Sequence, residues 1–460
     1  MNLPDQSRST VRGSSSRLRR LLAATAVGAS LALTAGACAS GSGSAGGAAG
    51  SGTAAGDTSF SYWSMWNKDE PQAKVLQAAI DQFTKDTGIK VTVQWKGRQV
   101  ATQLAPTLNT SHVPADLIDS QDRFAYAQLQ ATGQALDLTP VLKQAVPGES
   151  GSTVGSVLPK TYLDLTTTDG SLWEVPYEVV ADQVWYNAAD LPAVAANPPA
   201  TWAAFTQLLA QRKAARGGAG PLALDADIPD YAAFWTYYSV LRTMGPGAFG
   251  AAATDRSGAK FEDPEFLDAL NKVEQLIKAG DFTAGYNGSK WPAVQQKWAA
   301  GKSDFLLLGT FTPSETGPFA KAGFQYRSFP FPAMTAGGDT TQDVSTIGFS
   351  IPKKAEHAAA AEKFIAYFMA KSQLSGISTT AQNITPRADI PAPAALADAQ
   401  KAMNSGKVAE ALDGVKETAA EWYTKVFLPL NTSFIDGSLS PSAFAAKLKS
   451  GTADYWKMAS

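Results

Sequence analysis

The chain has 460 residues, with 39 Lys and Arg against 41 Asp and Glu and a formal net charge of −2. No basic stripe or charge run marks a surface for nucleic acid, so no nucleic-acid partner is expected. One cysteine and two histidines exclude an intramolecular disulfide, a thiolate metal site and an imidazole cluster, so no metal and no other cofactor is expected.

At the amino terminus, Arg12, Arg17, Arg19 and Arg20 form a basic head. Residues 21–33 are an apolar run short of a bilayer span, and Ala35-Gly36-Ala37-Cys38 is a small-residue cleavage site. The pattern resembles the lipobox signal peptides of bacterial lipoproteins, although Ala35 stands where Leu or Val is usual. The resemblance implies a signal peptide over residues 1–38, with Cys38 acylated by groups such as palmitate. A plain secretory signal with an incidental cysteine is the competing reading, and Arg19-Arg20-Leu21-Leu22 is faintly similar to a twin-arginine export signal. Residues 39–57 are almost entirely Ala, Gly, Ser and Thr and read as a flexible tether. The roughly 400 residues that remain exceed what one core usually supports, so two lobes are expected.

The spacing predicts a strand over residues 60–66. Pro71 opens a helix with Val75, Leu76, Ala79, Ile80 and Phe83 on one face, stopped by Gly88. Ile89, Val91, Val93 and Trp95 then alternate as a second strand, completing a β-α-β unit. A helix over 100–109, a strand over 115–118, a loop over 119–123 and a helix over 124–131 follow. Residues 172–187 read as extended chain. Thr201 caps a helix running to Ala215, 231–243 is an aromatic-rich helix, and Asp263-Pro264-Glu265 starts a helix that ends at Gly280. Residues 291–300 are a short helix, 304–308 and 347–351 are strands, 355–370 is a helix, and 396–455 is helical with breaks near Gly406, Gly414 and Pro429. This alternation predicts an α/β fold with mostly parallel sheets and a helical C-terminal region.

Several segments resemble the extracellular solute-binding proteins of ABC importers, in particular the sugar-binding family. Residues 83–91 carry the first. Pro114-Ala115-Asp116-Leu117-Ile118 and Gln121-Asp122-Arg123-Phe124 are similar to that family's strand and its ligand-contacting Asp-Arg loop. Gly133 with Leu136-Asp137-Leu138-Thr139-Pro140, Pro176 with Tyr186-Asn187, Pro199-Ala200-Thr201-Trp202, and residues 361–368 complete the series. The resemblance implies a two-lobed, type II periplasmic-binding-protein-like fold with a hinge of crossing strands. Residues 58–176 and 309–346 would form lobe 1, and 177–308 and 347–460 lobe 2, with crossings near Tyr177, Leu308 and Ile347. It further implies a monomer, anchored by lipid at the outer face of the cytoplasmic membrane, that captures a sugar or oligosaccharide without transforming it. Its partners would be the membrane permease subunits and their cytoplasmic ATPase.

A sugar presents vicinal hydroxyl edges and C–H faces. Asp and Arg can fork onto two hydroxyls at once, and Asp122 and Arg123 stand at a strand end, where open α/β sheets place ligands. Aromatic platforms are expected from Trp66, Tyr231, Trp235, Phe311 and Trp422, with core packing as the competing reading for each. Asp230 resembles a hydrogen-bonding carboxylate of the second lobe, and a helix N-cap is its alternative. At the family's crossover carboxylate position stands Val180, flanked by Glu178 and Asp182. Gly301-Lys302-Ser303 echoes a P-loop end, but neither the first glycine nor a preceding strand is present. Two rivals stay open: a secreted glycoside hydrolase using carboxylates such as Glu174, Glu178 and Asp182, and the same fold binding a non-sugar such as a polyamine or peptide.

Overall fold

The computed structural model describes residues 57–459. The expected signal peptide, Cys38 and all but the last residue of the tether lie outside the described residues. Among the described residues no helix is long and apolar enough to cross a membrane.

The first elements form where periodicity places them. Strand β1 (Ser59–Ser64) leads to α1 (Pro71–Thr87), which has Pro in its first turn and buries Val75, Leu76, Ala79, Ile80 and Phe83. Gly88 ends α1 at φ 74°, a left-handed conformation that glycine adopts without steric cost. Strand β2 (Lys90–Trp95) pairs parallel with one edge of β1, and β3 (Leu117–Gln121) pairs parallel with the other. The strand β4 (Val175–Asn187) is 13 residues long. After it come α2 (Trp202–Ala215), β5 (Leu222–Ala223), α3 (Pro229–Met244), α4 (Pro264–Ala279), β6 (Phe305–Gly309), β7 (Tyr326–Phe329), β8 (Gln342–Ser350), α5 (Ala358–Phe368), β9 (Val408–Glu410) and α6 (Pro441–Met458). Thr201 caps α2 as expected, its side chain accepting the Ala204 N–H.

These strands form one nine-stranded sheet in the order β2-β1-β3-β8-β4-β6-β5, with β9 also on β8 and β7 also on β4. The sheet is mixed, not mostly parallel. Strand β8 runs antiparallel to both β3 and β4, and β4 runs antiparallel to β6 and β7. Parallel neighbours need a covering crossover connection, which the β1-α1-β2 unit supplies. Strands β4 and β8 instead run in opposite directions through the middle of the sheet.

They also run from one apolar core to another. One cluster gathers β1, α1, β2 and β3 with Val175 and Tyr177 of β4, Ile347 and Phe349 of β8, and α5. A second gathers Val184 and Tyr186 of β4 with α2, α3, α4 and α6. A smaller third, with Val179 and Ala181 of β4 and Val344 of β8, lies along the passage. This packing reverses the expected allocation of the later segments. Phe329 and Phe331, expected in the first lobe, pack in the second cluster. Ile347, Phe349, Phe364 and Ile390, expected in the second, pack in the first. No crossing occurs near Leu308, because β7 returns to pair with the same end of β4 that β6 occupies. The third passage instead follows Ile390, leading to Leu396 in the third cluster and Leu412 in the second.

Candidate functional site

Where β4 and β8 pass between the cores they form the floor of a cavity of about 640 Å³. Strand alternation decides what each residue faces. Glu178, Val180 and Asp182 of β4 line the cavity, and Val179 and Ala181 between them point into a core. Asp343, Ser345 and Ile347 do the same on β8. In the antiparallel register Ser345 faces Val180 and Ile347 faces Glu178.

One wall comes from the chain just after β1. Trp66 lines the cavity, its Nε1 donating to Tyr177 Oη at 2.7 Å, and Tyr177 donates in turn to Asp119 Oδ2 at 2.6 Å. Asp119 also accepts the Met65 N–H at 2.7 Å. Burial raises the Asp119 pKa against the pull of these bonds. The Arg98 guanidinium lies 4.5 Å from the Trp66 ring and bonds both oxygens of Glu70, at 2.6 and 2.8 Å.

The end of β3 supplies Asp122 and Arg123. Asp122 accepts the Thr346 N–H at 2.6 Å on one oxygen and the Arg123 N–H at 2.7 Å on the other, tying β3 to β8. Burial raises its pKa despite both bonds and the Arg123 charge. The Arg123 guanidinium lies 4.5 Å from the Phe124 ring and lines the cavity.

The opposite wall is the start of α3. Tyr231 and Phe234 line the cavity with their rings stacked at 6.2 Å. Asp230 accepts from Tyr423 Oη at 3.0 Å and pairs with Lys416 at 2.5 Å. Burial alone would raise the Asp230 pKa, but Lys416 and its other partners outweigh it and the net shift is downward. Phe311 follows β6 and rests on Gly309, where an added Cβ would stand 2.2 Å from the ring.

Lys416 is delivered by an unusual turn. Leu412 and Asp413 both have left-handed backbones (φ 54° and 53°), a costly conformation for residues other than glycine. The turn is held by the Leu412 N–H on Asp343 Oδ2 (3.1 Å) and by Asp413, which accepts from Phe249 N (2.9 Å) and Tyr237 Oη (3.1 Å). Burial pushes Asp343 up to about 7. It pushes Glu178 up to about 8, against hydrogen bonds from Gln72 and Asn383.

A match to the bacterial extracellular solute-binding protein family runs over residues 67–373, well over half of the chain. The chain belongs to that family. No curated protein matches its sequence. Solved structures share the fold of this solute-binding protein. The binding protein MsmE of Bacillus subtilis superposes with a TM-score of 0.70 at 14% identity, over 88% of this chain and 100% of that one. RafE from Streptococcus pneumoniae gives 0.67 at 16%, over 87% and 98%. The maltose-maltodextrin binding protein of Alicyclobacillus acidocaldarius gives 0.60 at 17%, over 86% and 99%. The fold is thus the type II periplasmic-binding-protein fold, with a hinge of crossing strands and a helical C-terminal region.

Of the residues the sequence singled out in this solute-binding protein, Trp66, Asp122, Arg123, Asp230, Tyr231 and Phe311 all line the one cavity. Trp235 does not. It is fully buried, edge-on to Phe282 at 5.2 Å, because it points to the core side of α3 while Tyr231 and Phe234 take the open side. Trp422 does not line it either. It is fully buried between Phe261 and Phe427, with Nε1 on Thr452 Oγ1 at 2.8 Å, so it does not face Arg123 across a gap. Its neighbour Tyr423 is the residue that reaches the site, through Asp230. Glu174 lies behind the floor, fully buried, with Oε1 accepting from Thr346 Oγ1 at 2.6 Å.

Sequence reasoning missed Arg98, Phe234, Asp343 and Lys416. The alternation of Asp343, Ser345 and Ile347 could have revealed the first half of β8. Nothing in the sequence marks Lys416, whose place depends on the left-handed turn before it.

Proposed function

We propose that this protein is the receptor of an ABC importer, capturing a sugar or oligosaccharide outside the cell and handing it unaltered to a membrane permease powered by a cytoplasmic ATPase. The observation that carries this reading is the cavity itself. Carboxylates on the two strands that join the cores line it together with the rings of Tyr231, Phe234 and Phe311, a combination of forked acceptors with flat apolar faces that suits a sugar's edges and faces. The solved relatives of like fold include proteins described as maltodextrin- and chitin-oligosaccharide-binding.

In this reading the two lobes follow the cores: the segment up to Tyr177 with residues 347–390 in one, and the rest of the described chain in the other. Strands β4 and β8 and the passage after Ile390 form the hinge, and ligand binding shifts the population toward a closed form that the permease recognises. Cys38 would carry the lipid that holds a monomeric receptor at the membrane, with residues 39–57 as its tether. Of the carboxylates a hydrolase would need, Glu174 is buried outside the cavity lining, while Glu178 and Asp182 line it, so the choice between capture and hydrolysis falls to experiment.

Incubation with neutral oligosaccharides, followed by separate assay of bound and free sugar, tests the proposal. Recovery of intact bound sugar is expected. Release of shortened products would show an enzyme instead.

A further inference from the structure

The floor of the cavity gathers more carboxyl groups than a neutral guest accounts for. One step along the ribbon from the Val344–Ala181 pair, Asp343 and Asp182 come side by side on neighbouring antiparallel strands. They are only 3% and 7% exposed. Like charges opposed across a sheet repel, and the low dielectric of a buried site strengthens the repulsion. Asp343 has one bond, from the Leu412 N–H. The Asp182 carboxylate makes no hydrogen bond among the described residues. Four residues back on β4, Glu178 is 3% exposed and its Oε2 is buried without a hydrogen-bond partner.

Of the cations nearby, Lys416 is bonded to Asp230 and only its longer-range charge reaches Asp182 and Asp343. Arg98 pairs with Glu70, and Arg123 lies over Phe124. An inorganic cation is not what the site is built for: among the described residues, no group of three or more His, Cys, Asp or Glu side chains could hold a metal ion.

We infer that the solute is an amino sugar whose protonated amine seats over the Asp182–Asp343 pair, while Glu178, about 13 Å along β4, is left to accept from a hydroxyl farther along the guest. An ammonium group donates three hydrogen bonds and accepts none, so it complements acceptors that lack donors. Its charge offsets the repulsion across the ribbon, and the nearby aromatic faces favour a cation as well as a sugar ring. This inference rests on the carbohydrate reading above.

The test is calorimetric titration with matched pairs: glucose, galactose and mannose, each beside its 2-amino counterpart, and cellobiose beside the β-1,4-linked glucosamine dimer. Spermidine supplies charge without hydroxyls. At a pH that keeps the amines protonated, the amino member of the preferred pair should bind at least tenfold tighter than the neutral one. Asp182→Asn should erase that preference, costing the amino sugar at least tenfold more affinity than it costs the neutral one. Because the substitution removes repulsion, the variant should melt no lower than the parent. Neutral sugars binding as tightly as their amines, or tighter, would overturn the inference and leave the carbohydrate reading intact. Spermidine binding in preference to every sugar, or no binding across the panel, would overturn both.

Discussion

Trp422 is enclosed on both faces, by Phe261 and Phe427, and its one polar atom is bonded to Thr452. Truncating such a side chain leaves a void that rigid neighbours cannot fill, and the usual cost is about 3–5 kcal/mol. Trp422→Ala should therefore lower the melting temperature sharply. Ligand affinity, measured on the protein that remains folded, should stay within about twofold of the parent. Unchanged stability with lost affinity would return Trp422 to the site. The contrast with Tyr231 shows what a sequence can and cannot tell about an aromatic. Both rings belong to helical segments with apolar neighbours, and only the packing of α3 against the cavity separates a wall from a core. Asp122 and Arg123 stand at a strand end, a position legible from sequence, and there they line the cavity.

The two crossing strands carry the pH behaviour of the fold. Burial pushes Glu178 up to about 8 and Asp343 up to about 7. In the unfolded chain such groups release their protons near about pH 4. Between the two values the folded protein holds protons that the unfolded chain has lost, so stability falls as pH rises from about 5 to about 8 and levels off above that. Glu178→Gln removes one of these groups, and its melting temperature should decline less over that range than the parent's. An equal decline in both proteins would contradict the assignment. How legible each element was follows from where its partners lie. Helix α1 and strand β2 read clearly because propensity, periodicity and the Gly88 stop agree locally. The first half of β8 did not, since its alternation is of polar with small or β-branched residues and only Val344 in it is strongly apolar. Its pairing also depends on β4, which is distant in sequence. Strands β7 and β9 are short for the same test, and both exist by pairing onto the long crossing strands.

At the scale of the whole molecule, the order of segments was readable and their allocation between cores was not. A passage from one core to the other shows in sequence only as a long extended run, as in β4, and the third passage after Ile390 offers none. A mixed sheet with β4 and β8 at its centre places Glu178, Asp182 and Asp343 between two apolar cores, and the proposed hinge would bring the Trp66 wall and the Tyr231 wall together on a guest. Titration calorimetry of a saccharide panel into the parent and into a Tyr231→Ala, Phe311→Ala double variant tests this most directly. The account predicts saturable binding of one sugar per chain in the parent, and a loss of at least tenfold in the double variant with little change in melting temperature. Binding that survives undiminished when both rings are gone would contradict it.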